Sequence, residues 1–333
     1  ADSLGRCTFS RSPETAMVRH DCSTDTPANS RLPGRKTLLA LLVAGGLAAS
    51  LPAGARSFGA GLENSEWYLS ESVFDCTLTH DVPGYGRAVF SHRAGEDLGF
   101  YLEADLPLMR PGRGLLVVEA PSWRPGEPTQ RLGYVDVSDD RKVVEVGQRE
   151  AMAMMEGLLS GMAPTVTRQA RYQGDPVRVR LSNINFRSEF DGYRRCVTGL
   201  LPVNYDQIQR SRIPFGSGST SLSNRDRQLL RNIATYVAAD PSITRMFVDG
   251  HSDSMGSRIQ NRALSEERAQ VVADYLIEVG VPEDLIVIRS HADQYPVSGN
   301  PADNRRTNIR LEREGDSQGV QRADSDAFGG TSG

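Results

Sequence analysis

The stretch GHSDSMG at residues 250–256 sets His251 and Asp253 directly after MFVD, an apolar run with the composition of a buried strand end. Both are residue types that hold metals or move protons. Only these two converge locally, however, and His291 has no evident companion, whereas zinc takes three or four protein ligands. No metal site is expected. A hydrolase would need a nucleophile with a base, or a three-ligand metal set; neither is visible, so no catalytic residue and no cofactor is predicted.

The elements that must position these residues begin near residue 206. RIPF reads as a short strand, and Ser223 as the cap of a helix whose Leu229, Leu230, Ile233, Tyr236 and Val237 make one apolar stripe. SITRMFVDG is the next strand. After the GHSDSMG loop the pattern predicts a helix capped by Ser265, with Val271, Val272, Tyr275, Leu276 and Val279 facing inward and Gly280 as its stop. DLIVIRS and TNIRLER follow as strands. Strands alternating with helices in this way predict an α/β sandwich, a mixed sheet with helices on one side.

Within that unit GHSD, Asn261, Leu264-Ser265, Arg268-Ala269 and Asn304-Arg305-Arg306 occur in an order that resembles the OmpA-like peptidoglycan-binding domain over residues 206–314. The resemblance implies that Asp253 and Arg268 clamp the diaminopimelate of the wall stem peptide. Around them it places Asn261 as a bridge, His251 as a holder of the loop, Ser265 at the helix start and Arg305 or Arg306 as an added cation. Diaminopimelate carries an ammonium and a carboxylate side by side, which suits one fixed carboxylate and one planar donor fork. With Ser265 as cap, Arg268 would also stand where free backbone N–H groups favour an anion. The competing reading pairs Asp253 with Arg268 in an exposed bridge worth roughly 0–1 kcal/mol and makes Asn304-Arg305-Arg306 a solvated turn. Three positions depart from the family pattern: Ser290 and Ala292 stand where glycines are common, and Thr307 where valine is usual.

The stretch before this unit has period two. Leu98, Phe100, Leu102, Ala104 and Leu106 alternate with polar residues and glycine, and RAVFSH, GLLVVEA, RLGYVDV, TVTRQARY and PVRVRLS are further strands separated by Pro-Gly turns. One helix over residues 148–162 carries Met154, Met155, Leu158, Leu159 and Met162 at core spacing. His80 and His92 stand alone and read as surface or sheet-edge residues. The fold class is therefore α+β: a mostly antiparallel β domain, sheet or small barrel with one or two helices, then the α/β sandwich.

Arg31, Arg35 and Lys36 precede an apolar run of about 14 residues ending in a small-residue site, which predicts a cleaved secretory signal, since a spanning helix needs roughly 20. Export leaves Cys76 and Cys196 as the pair in an oxidising compartment, so a disulfide is expected. The chain then divides into a leader and extension (1–55), a β-rich domain (56–205), the wall-binding domain (206–314) and a polar tail (315–333) expected to be disordered. The net charge of −4 is spread over both signs, which argues against nucleic acid as a partner.

AVFSHRAG at 88–95, APSWRPGE at 120–127 and FDGYRRCVTGLL at 190–201, with both cysteines in matching places, resemble the MotY family of flagellar motor proteins. The resemblance implies a periplasmic component that docks on the basal body, helps recruit or hold stator units, and grips peptidoglycan with its second domain. A generic envelope tether would share only the last property. A stator subunit would need a membrane helix with an ionisable residue, which the apolar run lacks.

Overall fold

The computed structural model describes residues 55–315 apart from Ser122 and Gln173; the expected leader and cleavage site, and the tail from 316 onward, lie outside the described residues. The β-rich domain comprises β1 (Arg56–Phe58), β2 (Trp67–Glu71), β3 (Asp75–Val82), β4 (Gly86–Arg93), β5 (Gly99–Ala104), β6 (Gly112–Glu119), β7 (Gln130–Val137), β8 (Lys142–Val146), α1 (Gln148–Leu159), β9 (Ala163–Arg168), β10 (Val177–Arg180) and α2 (Phe186–Thr198). Its ten strands form one sheet in the order β1-β10-β9-β6-β7-β8-β5-β4-β3-β2, antiparallel except where β1 joins β10. On β3, Cys76, Leu78, His80 and Val82 turn inward while Asp75, Thr77, Thr79 and Asp81 turn outward, the pattern of a half-buried strand.

Several expectations for this domain are corrected. Strand β5 stops at Ala104, so Leu106 lies beyond it and is exposed. The strand expected through Tyr172 ends at Arg168. The helix α2 falls within the one or two helices expected, though its place was not, with Phe186, Phe190, Tyr193 and Val197 recurring at helical spacing. His80 is fully buried rather than on a surface or edge. It stacks on Trp67 at 4.6 Å, its Nδ1 lies 2.8 Å from the carbonyl of Glu66, and its Nε2 accepts the Ser182 N–H at 3.3 Å. His92 is half-buried, with Nδ1 3.2 Å from the Tyr193 hydroxyl. Cys76 and Cys196 form the expected disulfide, tying β3 to the last turn of α2.

The second domain contains α3 (Tyr205–Ile208), β11 (Arg210–Pro214), α4 (Asn224–Ala239), β12 (Ile243–His251), α5 (Arg258–Glu278), a 3-10 turn (Glu283–Leu285), β13 (Ile286–Ser290), α6 (Pro301–Asn304) and β14 (Arg306–Arg313). Its sheet runs β11-β14-β12-β13, mixed because only β12 and β13 are parallel. Helix α5 lies across β12, β13 and β14, and α4 packs beside it. Four strands expected from sequence are all present. Ser223 caps α4 in a capping box with Asp226, and Gly280 follows the C-terminus of α5 with φ of 106°.

The start of α5 is corrected. Ser257 is the cap, its hydroxyl accepting the Gln260 N–H in a capping box, and the helix begins about two turns before Ser265. Arg268 is therefore mid-helix, where every backbone N–H is already used, and the expected anion-favouring helix start does not serve it.

The two domains share a built junction. Phe74 of the first packs on Tyr236 of α4 at 5.3 Å, the Gln207 amide of α3 donates to the Gly95 carbonyl (2.8 Å), and Arg93 donates to Asp206 (2.8 Å). At Gly95, φ is 69° and an added Cβ would sit 2.8 Å from the Val203 Cα, so the turn and the linker meet where only glycine fits.

Candidate functional site

Three backbone features assemble the site. Strand β12 delivers His251 to its end, the loop after it carries Asp253, and α5 crosses behind. The crossing is close: a Cβ at Gly250 would lie 1.9 Å from the Ser265 carbonyl. Gly250→Ala is therefore expected to push α5 from the sheet and lower stability by about 1–3 kcal/mol, read as a fall in urea midpoint. An unchanged midpoint would show that the crossing yields easily.

Arg268 is fully buried, with its ring-like fork lying 5.3 Å over Phe215. Its Nη2 donates to the Gly216 carbonyl (2.9 Å), Nε to the Ser219 carbonyl (3.0 Å) and Nη1 to the His251 carbonyl (3.1 Å). All three acceptors are neutral. Burial lowers its pKa, Asp253 nearby raises it and Arg305 lowers it again. Asp253 does not pair with Arg268, as the competing reading had it; its Oδ2 accepts from Arg305 Nη1 at 2.9 Å and its Oδ1 from the Met255 N–H at 3.2 Å. This pair stays partly open, the two side chains being 12% and 18% exposed.

The remaining expected residues divide. Arg305 stands beside Asp253. Arg306 is buried and spends its fork on the carbonyls of Tyr295 (3.0 Å) and Asn304 (3.4 Å), so it is not presented at the Asp253 carboxylate. Asn304 is buried too, and Asn304-Arg305-Arg306 is no solvated turn. Asn261 is buried in the first turns of α5, its Oδ1 near Gly256 of the loop. Ser265 is fully buried; its hydroxyl contacts the Ser290 hydroxyl (2.7 Å) and accepts the Ala292 N–H (3.1 Å), so it fastens the β13 loop. That loop is where the family pattern is broken. Ala292 takes φ of 49°, a conformation that glycine adopts more readily, and the two serines hold it there.

His251 stacks on His291 at 5.1 Å, and its Nε2 lies 3.3 Å from Asn308. Burial, with Arg306 and His291 adding repulsion, lowers its pKa to about 4; burial also lowers that of His80. His251 is neutral in the folded chain near pH 6.5, where the unfolded chain takes up protons, so its contribution to stability is present above about pH 6.5 and declines as pH falls toward the folded value; the lowered pKa of His80 acts in the same direction. His251 contributes a slope of up to about 1.4 kcal/mol per pH unit in that window. Urea midpoints at pH 7.5 and 5 should differ accordingly, and His251→Gln should flatten part of the slope. Equal slopes in the two proteins would remove His251 from the account.

Residues 214–310 match the OmpA family, so the second domain is of that class. Residues 58–202 match the MotY N-terminal domain, so the chain joins a MotY N-terminal domain to an OmpA domain. It is 27% identical over 242 residues to the sodium-type flagellar protein MotY of Vibrio parahaemolyticus, covering 72% of this chain and 82% of that protein. Over 96 residues it is 46% identical to outer membrane protein A of Escherichia coli O157:H7, 28% of each chain. The peptidoglycan-associated lipoprotein from Burkholderia pseudomallei aligns with 30% of this chain and 89% of its own at 25% identity, TM-score 0.29.

Among the described residues no helix is long and apolar enough to cross a membrane. Sequence reasoning missed what closes on Arg268. Phe215, Gly216 and Ser219 lie some fifty residues upstream, and nothing local to LSEERA announces that their carbonyls would meet its fork.

Proposed function

We propose that this protein is a non-enzymatic, periplasmic component of the flagellar motor, docking on the basal body through residues 56–205 and anchoring to peptidoglycan through residues 206–314. The observation that carries the reading is the joining of a MotY N-terminal domain to an OmpA domain in one chain. The domain junction around Phe74, Gly95 and Gln207 suits a stationary element, because load taken by one domain passes to the other through packed side chains and hydrogen bonds rather than a free linker. Helping to recruit or hold stator units is part of the same proposal.

For the wall site we propose that Asp253 receives the ammonium and Arg268 the carboxylate of diaminopimelate. A buried guanidinium surrounded by three carbonyls and no contacting carboxylate is solvated but not neutralised, and a ligand anion completes it. Entry of that anion requires the Gly216–Ser219 stretch to draw back. Arg305 then shares Asp253 with the ligand; Asn261, His251 and Ser265 hold the loops in place, and Arg306 acts from the buried layer behind.

The test is purification of hook and basal-body complexes from cells making a tagged copy. Co-purification that survives deletion of residues 206–314 supports docking through the first domain. Absence from basal bodies, with retention on sacculi, would leave a wall tether outside the motor.

A further inference from the structure

We propose that the first domain carries a receptor site for an acidic side chain from an internal segment of a partner protein, in a cavity of about 360 Å3 at the end of β10. Three stretches of chain build it: the segment leaving β1 as far as Leu62, Pro121 with Trp123, and Arg180 to Ile184. The inference rests on the proposed docking of this domain on a protein and specifies the chemistry of that contact.

Arg180 is the first observation. It closes β10, is half-buried, and its guanidinium has no carboxylate, carbonyl or ring partner among the described residues. The neighbouring Arg178 shows the ordinary arrangement, held by both oxygens of Glu119 at 2.6 and 2.8 Å. A guanidinium has five donors in a planar fork and no acceptor, so one held in a cavity without a partner selects a carboxylate.

Asn183 is the second. Its Oδ1 is buried in the wall without a donor. A buried amide oxygen left unmade costs free energy that a bound N–H would recover.

Trp123 is the third. It belongs to the WRPGE stretch, which the wall site does not use, and rather than packing on the sheet it is 54% exposed, with the still more exposed Leu62 lining the same cavity. Exposed tryptophan at the rim of a cavity is the composition of an interaction site.

The demands are met together by one kind of occupant. An aspartate or glutamate side chain supplies the carboxylate for Arg180, a backbone N–H of the same segment supplies the donor for Asn183, and a flanking apolar residue covers Trp123. The volume is at the low end of ligand pockets, which run roughly 300–1,000 Å3, so it admits a side chain with its peptide units rather than a helix.

The experiment titrates the full-length protein with three pentapeptides: a blocked one with central glutamate between leucines, its glutamine counterpart, and an uncharged one ending in a free carboxylate. Tryptophan emission is the readout. The chain has two tryptophans, and Trp67 is 5% exposed, so changes in exposed-type emission report Trp123. The glutamate peptide is expected to shift that emission saturably and to bind about tenfold or more tighter than the glutamine form, with the preference lost in Arg180→Gln. No saturable change with the glutamate peptide, equal binding by the glutamine form, or Arg180→Gln titrating as the wild type would overturn the site. Tighter binding of the free-terminus peptide would overturn the internal-segment assignment.

Basal-body purification separates this inference from the reading it rests on. Wild type recovered with basal bodies, and both Arg180→Gln and Trp123→Ala lost, is the expected result. If the variants are recovered as well as wild type, the cavity is not the contact and docking stands. If wild type itself is absent, docking fails and the peptide titration alone decides the cavity.

Discussion

Asp253→Asn is expected to abolish sedimentation with purified sacculi while leaving the urea midpoint almost unchanged. The amide keeps the volume and one acceptor for the Met255 N–H, and Arg305 is open enough for water to replace the lost partner. What disappears is the charge that the ligand ammonium would meet, a charge-assisted contact worth about 1.5–3 kcal/mol or roughly 10–100-fold in affinity. Arg268→Ala should behave differently, losing both sedimentation and stability. It vacates a fully buried site and orphans the carbonyls of Gly216, Ser219 and His251, for which about 3–5 kcal/mol is the expected scale. Arg268→Lys separates the two effects, because a single ammonium keeps the charge but cannot reach three carbonyls and a ligand carboxylate at once. Wild-type sedimentation of Asp253→Asn would sink the clamp, whatever the arginine variants do.

The contrast between these two residues also measures what the sequence could show. The position of Asp253, in the loop just after β12, was legible because its motif follows the apolar run Met246–Val248 of a strand that ends at His251. Arg268 was legible as a position on α5, though not in its surroundings. The fork is closed by a loop distant in sequence, and long-range closure leaves no local periodicity to read. The start of α5 was readable in principle. Ser257 and Gln260 form the S-x-x-Q box, but the polar run through Asn261 and Arg262 hid the helical stripe and drew attention to Ser265.

In the first domain, β4, β6 and β7 announced themselves through runs of Val, Leu and Phe. Strand β3 alternates just as strictly, but its inward positions include Cys76 and His80, types that read as chemistry or surface rather than core. Burial of His80 follows from that alternation together with Trp67 opposite it across the β2–β3 pair. The helix α2 was concealed by its polar composition. Its stripe of Phe186, Phe190, Tyr193 and Val197 is complete, yet Gly192 and three arginines lower the apparent helical signal.

Removing the Cys76–Cys196 bridge is expected to weaken the first domain strongly and the wall site hardly at all. The bridge closes a loop of 120 residues, for which chain entropy gives about 4–5 kcal/mol, with measured losses for native bridges of about 2–5. Cys76→Ala/Cys196→Ala should therefore lower the tryptophan-detected urea midpoint by roughly 1–2 M, and both tryptophans lie in this domain. Helix α2 would not detach outright, since Phe186 still meets Trp67 edge-on at 4.7 Å and the core around Tyr193 remains. The second domain has its own core, and its link to the bridge is local: Phe74, two residues before Cys76, packs on Tyr236. Sacculus binding by the bridgeless protein should accordingly persist, while recovery with basal bodies falls. A midpoint shift below about 0.3 M, or loss of sacculus binding in step with it, would mean that the bridge is not the staple of the first domain alone and that the two domains unfold as one.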